Sequence, residues 1–205
     1  MTRRSPRHPL GPAVTNWALA WVFALFAYAH LQAFMEQPRL SLVLVVAMEA
    51  LVVFFLLVRR SADHTWHSWQ TWLTTCGGTF FPLLIRPLET DSDLLAGQAL
   101  QLVGAALQIA ALVSLNRSFG LLPAYRGLQT NGLYRLVRHP LYAAYAVSLA
   151  GYLLNNPSLF NLVVISAGMG LQIMRLLNEE RLLRGYSDYA AFAARTRWRL
   201  IPYLW

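Results

Sequence analysis

Long apolar blocks alternate along the chain with short polar breaks, and most of the blocks are of membrane-crossing length. Residues 16–35 and 40–58 form the first two, joined by Glu36-Gln37-Pro38-Arg39 and closed by Arg59-Arg60. About 20 consecutive apolar residues cross a hydrocarbon core of about 30 Å as a helix. Residues 61–70 are polar and tryptophan-rich, which suits the headgroup layer. Residues 71–86 are apolar but broken by Gly77-Gly78 and Pro82, so they either cross or dip in and return. Glu89, Asp91 and Asp93 follow, and then a firm span at 94–115. Residues 116–138 read as an irregular connector with Gly120, Pro123, Gly127 and Gly132. A span at 140–154 ends in Asn155-Asn156-Pro157, and the last one starts near Ser158 and continues past Met174 as a polar helix to about Arg184. The tail, 186–205, is amphipathic and aromatic.

This pattern predicts an all-α fold, a polytopic transmembrane helical bundle of about six spans with a cytoplasmic C-terminal helical tail. Five spans result if 71–86 does not cross. Charge separates the two topologies. With six crossings and a cytoplasmic N-terminus, only Arg39 and Arg86 of the 17 basic residues, all arginine, fall outside. Five crossings would put the two basic halves on opposite faces, against the bias of cytoplasmic loops toward Lys and Arg. The expected location is a membrane of the bacterial inner-membrane type, with both termini cytoplasmic. Residues 1–15 read as a basic, proline-containing lead. Arg3-Arg4 is not followed by a short apolar core and small-residue cleavage site, so the first span is expected to be retained.

Composition agrees: 57 % apolar and 13 % charged residues are too oily for an ordinary soluble domain. The net charge of +8 sits at block ends and not in a stripe interleaved with aromatics, so no nucleic-acid partner is expected. Cys76 is alone, which excludes an intramolecular disulfide and a cysteine metal cluster. His64 and His67 lie three apart without a further ligand in view, so no metal is expected. No Gly-x-Gly-x-x-Gly after a strand, P-loop, nucleophile elbow or C-terminal prenylation box is present. Glu49 lies mid-span, where an ionisable group marks either a site or a protonated bond to a neighbouring helix; His30 reads as packed or interfacial.

Three constellations carry candidate chemistry. Residues 131–142 gather Arg135, Arg138, His139, Pro140 and Tyr142 at the mouth of an apolar run. Pro140 fits the first position of a helix, whose free N–H groups beside Arg138 and His139 suit a carboxylate or phosphate. The same residues also suit a positive-inside anchor. The span they open has about 15 residues, roughly 22 Å at the helical rise. Either the bilayer thins there or the motif sits below the headgroups in a protein-lined cavity. The second constellation is Asn178-Glu179-Glu180-Arg181-Leu182-Leu183. Its glutamates point about 100° apart, so one would turn to the Pro140 motif, or both would form i,i+4 surface pairs with Arg175 and Arg184. The third is the tail, with Tyr186, Tyr189 and Phe192 at spacing three, then Arg195, Arg197, Trp198 and Arg199. It reads as an interfacial helix or a lid.

Taken in order, Gly132-Leu133-Tyr134, Arg138-His139-Pro140-Leu141-Tyr142, Asn155-Asn156-Pro157, Glu179-Glu180-Arg181-Leu182-Leu183, Tyr186 with Tyr189, and Ile201-Pro202 form a recognisable series. It resembles the isoprenylcysteine carboxyl methyltransferase family, related to phospholipid N-methyltransferases, and Arg117-Ser118-Phe119-Gly120 resembles its bacterial branch. The likeness covers roughly 95–205 and departs at Ala144, where the family usually has glycine. Residues 1–93 carry no recognised motif; 94–205 would be the catalytic core with its tail. The resemblance implies an S-adenosylmethionine-dependent methyltransferase, with S-adenosylhomocysteine as product, no metal, and a lipidic or amphiphilic acceptor (carboxylate, thiol or amine). Its implied donor-binding residues are Tyr134, His139, Pro140, Tyr142, Glu179, Glu180, Tyr186 and Tyr189, with the donor carboxylate at Arg138 and His139. Arg138, Arg175 and Glu180 are the implied catalytic residues, Glu180 as proton acceptor for an amine or thiol. A nicotinamide-dependent (NADPH) membrane reductase of sterol-reductase-like architecture and a non-catalytic membrane scaffold stand as alternatives.

Overall fold

The computed structural model describes residues 11–36, 40–60, 64–65, 68–86, 88 and 94–205. The basic lead at 1–10, the link at 37–39, His67 and the acidic residues Glu89, Asp91 and Asp93 lie outside these. The described chain is almost wholly helical: α1 (Gly11–Glu36), α2 (Leu40–Val58), α3 (Trp69–Phe80) with a 3-10 turn at Phe81–Leu84, α4 (Leu95–Leu115), α5 (Pro140–Asn155), α6 (Leu159–Leu183) and α7 (Ser187–Arg195). Two short strands, β1 (His64–Thr65) and β2 (Ala124–Tyr125), pair antiparallel and tie the segment after α2 to the connector.

Three helical stretches, Trp17–Glu36, Leu95–Ser118 and Leu159–Leu183, are long and apolar enough to cross a membrane; Val46–Val58 is a shorter apolar helix. Their surfaces are inverted relative to a soluble protein. In α6 the buried stripe is Asn161, Ile165, Gly168, Gln172, Arg175, Leu176 and Glu180, spaced three or four apart except for the adjacent pair Arg175 and Leu176. Its exposed side carries Leu159, Phe160, Val163 and Met174. On α1, Trp17, Trp21, Leu25 and Tyr28 form an exposed stripe. Polar residues inside and apolar ones outside is the arrangement that a lipid solvent favours, because polar groups find partners only within the bundle.

Helix α4 lies antiparallel against α5 at very close range. A Cβ on Gly104 would meet the Ser148 backbone at 2.5 Å, and one on Gly97 would meet Gly151 O at 2.9 Å. Small residues let backbones approach where no hydrophobic effect drives helices together. Gln108 Nε2 then donates to Ser148 Oγ at 3.0 Å across the interface. Leu141, in the first turn of α5, packs with Ala111 and Leu112. Helix α5 therefore begins about a turn short of the end of α4. Gly132 (φ +58°) opens a 3-10 turn over that last turn, beside Ser114.

Helix α3 and its 3-10 turn run antiparallel along α6. Gln172 Nε2 donates to Gly78 O, Gly168 faces the Phe81 ring, and Asn161 exchanges hydrogen bonds with the Arg86 backbone at 2.9 Å and 2.8 Å. At that end the break after α5 is put to use. Asn155 Oδ1 accepts from Leu94 N at 3.0 Å and Asn156 Oδ1 from Leu88 N at 2.8 Å, so three asparagines hold the backbone of the segment leading into α4.

Candidate functional site

At the opposite end from these asparagines, α5 and α6 bring the Arg-His-Pro corner and the paired glutamates together. Pro140 occupies the first position of α5, as its fixed φ and missing N–H favour. The preceding backbone does not stay open. Arg138 N donates to Trp198 O and His139 N to Arg199 O, both at 2.9 Å, so the tail runs alongside the corner.

Glu180, only 2 % exposed, is the hub. Its Oε1 accepts from Arg138 Nη1 at 3.2 Å and from His139 Nε2 at 3.3 Å; its Oε2 accepts from Arg199 Nε at 2.9 Å, with Arg184 Nη2 at 3.6 Å. A buried carboxylate is tolerated only when paired and hydrogen-bonded, and this one gathers three arginines and a histidine from three segments. The carboxylate found beside Arg138 and His139 is thus the chain's own.

Glu179 serves the same corner from the adjacent direction, accepting from Tyr142 OH at 3.1 Å. The 100° separation between the two glutamates is met because each turns to a different residue of the Arg-His-Pro-Leu-Tyr run. Of the expected surface pairs, Glu180–Arg184 forms. Arg175 does not pair with Glu179. It is buried, donates from Nη1 to Thr79 Oγ1 at 3.4 Å, and sets its guanidinium 5.7 Å from the centre of the Tyr142 ring. Ala144, where a glycine resembles the family pattern more closely, is fully packed at 1 % exposure.

A shallow cleft, open at its mouth, lies between the connector, the end of α6 and α7. Arg126, Arg138 and Glu179 supply its charge, His139 adds a ring nitrogen, and Tyr134, Tyr189 and Phe192 supply aromatic wall. Tyr134 and Tyr189 hydroxyls are held neutral beyond their usual range, first by burial and then by Glu179 and Glu180 respectively. Arg138 Nη1 also reaches Tyr189 OH at 3.4 Å. Tyr125 at the cleft edge stacks on Tyr186, ring centres 3.8 Å apart, and donates to Asp188 Oδ2 at 2.6 Å. This stack fixes the turn from α6 into α7, whose Tyr189 and Phe192 are buried as their spacing of three requires.

The structure therefore assembles Arg138, His139, Pro140, Tyr142, Glu179 and Glu180 around one corner, sets Arg175 behind Tyr142, places Tyr134 and Tyr189 on the cleft wall, and leaves Tyr186 as the partner of Tyr125. Sequence reasoning missed Arg126 and Tyr125, which lie in the glycine- and proline-rich connector, and the pairing of Arg199 with Glu180. An arginine in such a loop looks like any topological anchor; only the alternation of Arg197 and Arg199 in the tail hinted at an extended, one-sided contact. Among the described residues no group of three or more His, Cys, Asp or Glu is placed to hold a metal ion. No protein-family model matches the chain, and no curated protein matches it.

Proposed function

We propose that the chain is an integral-membrane methyltransferase that uses S-adenosylmethionine and acts on a lipidic or amphiphilic acceptor at the cytoplasmic membrane face. The observation that carries this reading is the charge pattern of the cleft. Guanidinium groups of Arg126 and Arg138 face the carboxylate of Glu179 across a tyrosine-lined space. Two of the buried guanidinium nitrogens, Arg126 Nε and Arg138 Nε, have no partner among the described residues. A ligand carrying a carboxylate, an ammonium and a sulfonium matches this set: oxyanion on arginine, cations on carboxylate and aromatic faces. When bound, such a donor supplies an electrophilic methyl group, whose bond to sulfur breaks as the acceptor's lone pair forms the new bond.

The protein's share is orientation and exclusion of water. Glu180, held by three guanidinium groups and an imidazole, keeps Arg138, His139 and Arg199 in fixed positions. Glu179 has a single donor, Tyr142, and faces the cleft, so it is the better placed of the two to take a proton from an amine or thiol acceptor. A carboxylate acceptor is already ionised and needs none. Arg175 steadies the Tyr142 ring that holds Glu179.

Six crossings with cytoplasmic termini belong to the same reading. In support, α3 with its 3-10 turn spans about 26 Å by helical rise and runs beside α6 from the Gln172 level to Asn161. The test is ligand-induced melting of the detergent-solubilised chain. S-adenosylhomocysteine should raise Tm, in proportion to the logarithm of its concentration above Kd. A rise with NADPH alone would replace this reading with a reductase; no rise with either would favour the scaffold.

A further inference from the structure

Arg126 is the one buried cationic side chain of the cleft that Glu180 does not hold. It is 9 % exposed although it sits in a connector. Its own loop is clamped: Ser118 Oγ donates to Arg126 O at 3.1 Å, and Gln129 Nε2 donates to Ser118 Oγ at 3.0 Å. The guanidinium lies flat against Gly120, where a Cβ would come within 2.5 Å of Nη1 and 2.7 Å of Cζ. Only glycine leaves room for that face. The chain thus shapes a slot for this guanidinium and then leaves its Nε without a hydrogen-bond partner. The nearest acid in the cleft, Glu179, already accepts from Tyr142 and makes no ion pair with Arg126. Burial, and then the like charge of Arg59, pushes the Arg126 pKa down to about 10, and the carboxylate of Glu179 offsets this only in part.

We infer that Arg126 is an oxyanion-binding residue of the cleft, taking the carboxylate or phosphate oxygen of a bound ligand on its buried guanidinium. Resting on the methyltransferase reading, the oxyanion has two sources, the donor's amino-acid carboxylate and an acidic group of the acceptor. The first is favoured by the corner itself, since Glu180 already fills the anion position beside Arg138 and His139.

Titration calorimetry on the full chain in detergent separates these. The probes are S-adenosylhomocysteine, 5′-methylthioadenosine (the same nucleoside thioether without the amino-acid group) and inorganic phosphate against chloride at equal ionic strength. Arg126→Gln should weaken S-adenosylhomocysteine by about tenfold or more, the worth of one charged hydrogen bond, and shift methylthioadenosine by less than about twofold. If both nucleosides bind unchanged while the phosphate-induced rise in Tm is lost, the site stands and the oxyanion belongs to the acceptor. Arg126→Lys keeps the charge and the stem but not the planar fork, and should show a smaller loss of the same kind if the glutamine variant does not fold. Unchanged affinity for S-adenosylhomocysteine together with an unchanged phosphate effect in these variants overturns the inference. Failure of the wild-type chain to bind either nucleoside would instead sink the methyltransferase reading, with the phosphate comparison still deciding the role of Arg126.

Discussion

Arg199 Nε donates to Glu180 Oε2 at 2.9 Å, which joins the tail to the end of the last long helix. Arg184 approaches the same oxygen at 3.6 Å, but its side chain is 65 % exposed against 25 % for Arg199. Exposed pairs contribute about 0–1 kcal/mol, whereas pairs removed from water contribute more when one partner is lost. Arg184→Ala should therefore leave Tm nearly unchanged, and Arg199→Ala should release the tail. Limited trypsin digestion checks this: cleavage after Arg195 and Arg197 should speed up in Arg199→Ala and not in Arg184→Ala. Equal rates in the two variants would remove Arg199 from its place as a latch.

Removing the hub charge has a larger effect. Glu180→Gln leaves Arg138 buried without its ion-pair partner. Breaking a buried pair from one side costs about 3–5 kcal/mol. The variant should melt far below wild type and lose binding of S-adenosylhomocysteine. Glu179→Gln, which removes the charge but keeps an oxygen able to accept from Tyr142, should keep most of the stability while losing donor affinity. A Glu180→Gln chain that melts like wild type would mean the three arginines and His139 do not depend on this carboxylate.

The far end of the bundle should answer differently. Asn161, 0 % exposed, bonds Arg86 N, Arg86 O and Asn156 O. Hydrogen bonds of this kind are worth about 0.5–1.5 kcal/mol each, so Asn161→Ala should lower stability by about 1–3 kcal/mol. Because Asn161 lies at the other end of α6 from Glu180, affinity for S-adenosylhomocysteine should stay within about twofold of wild type. A large loss of affinity would couple the two ends.

Much of this was legible in the sequence, and the limits are physical. The helix boundaries near Pro140 and Ser158 follow from a missing N–H and from a side chain that caps its own helix, so local chemistry alone places them. The meeting of Arg138 and His139 with Glu180 was readable as charge at one membrane face. Which glutamate faces which partner was not, because that depends on the rotation of α6 against α5. The connector was least legible: β1 pairs with β2 across the 58 residues between Thr65 and Ala124, and nothing local marks such a contact. Arg126 was hidden for that reason.

Six crossings make a labelling prediction. In a Cys76→Ala background, whose native thiol is exposed on α3, Leu88→Cys should react with an impermeant maleimide added outside intact cells. Ser187→Cys should react only in inverted vesicles. With five crossings residue 88 shares the side of residue 60, and Leu88→Cys would label only after inversion.

Alkaline pH tests the burial of the cleft wall. Tyr134 and Tyr189 have hydroxyl pKa values raised above the ordinary 10, chiefly by burial and secondarily by Glu179 and Glu180. The folded chain then holds these protons more tightly than the unfolded one. Their stabilising contribution is complete below pH about 10 and falls as pH rises beyond it, because the unfolded state ionises first. Arg126, with its pKa pushed down to about 10, acts in the opposite sense over the same range, since its buried charge is relieved on deprotonation. Comparison of single variants separates the two signs. Tm plotted against pH from about 9 to 11 should fall less steeply in Tyr134→Phe than in wild type, and more steeply in Arg126→Gln. A Tyr134→Phe curve parallel to wild type would mean that this hydroxyl is solvated in the folded state and that the cleft wall is open there.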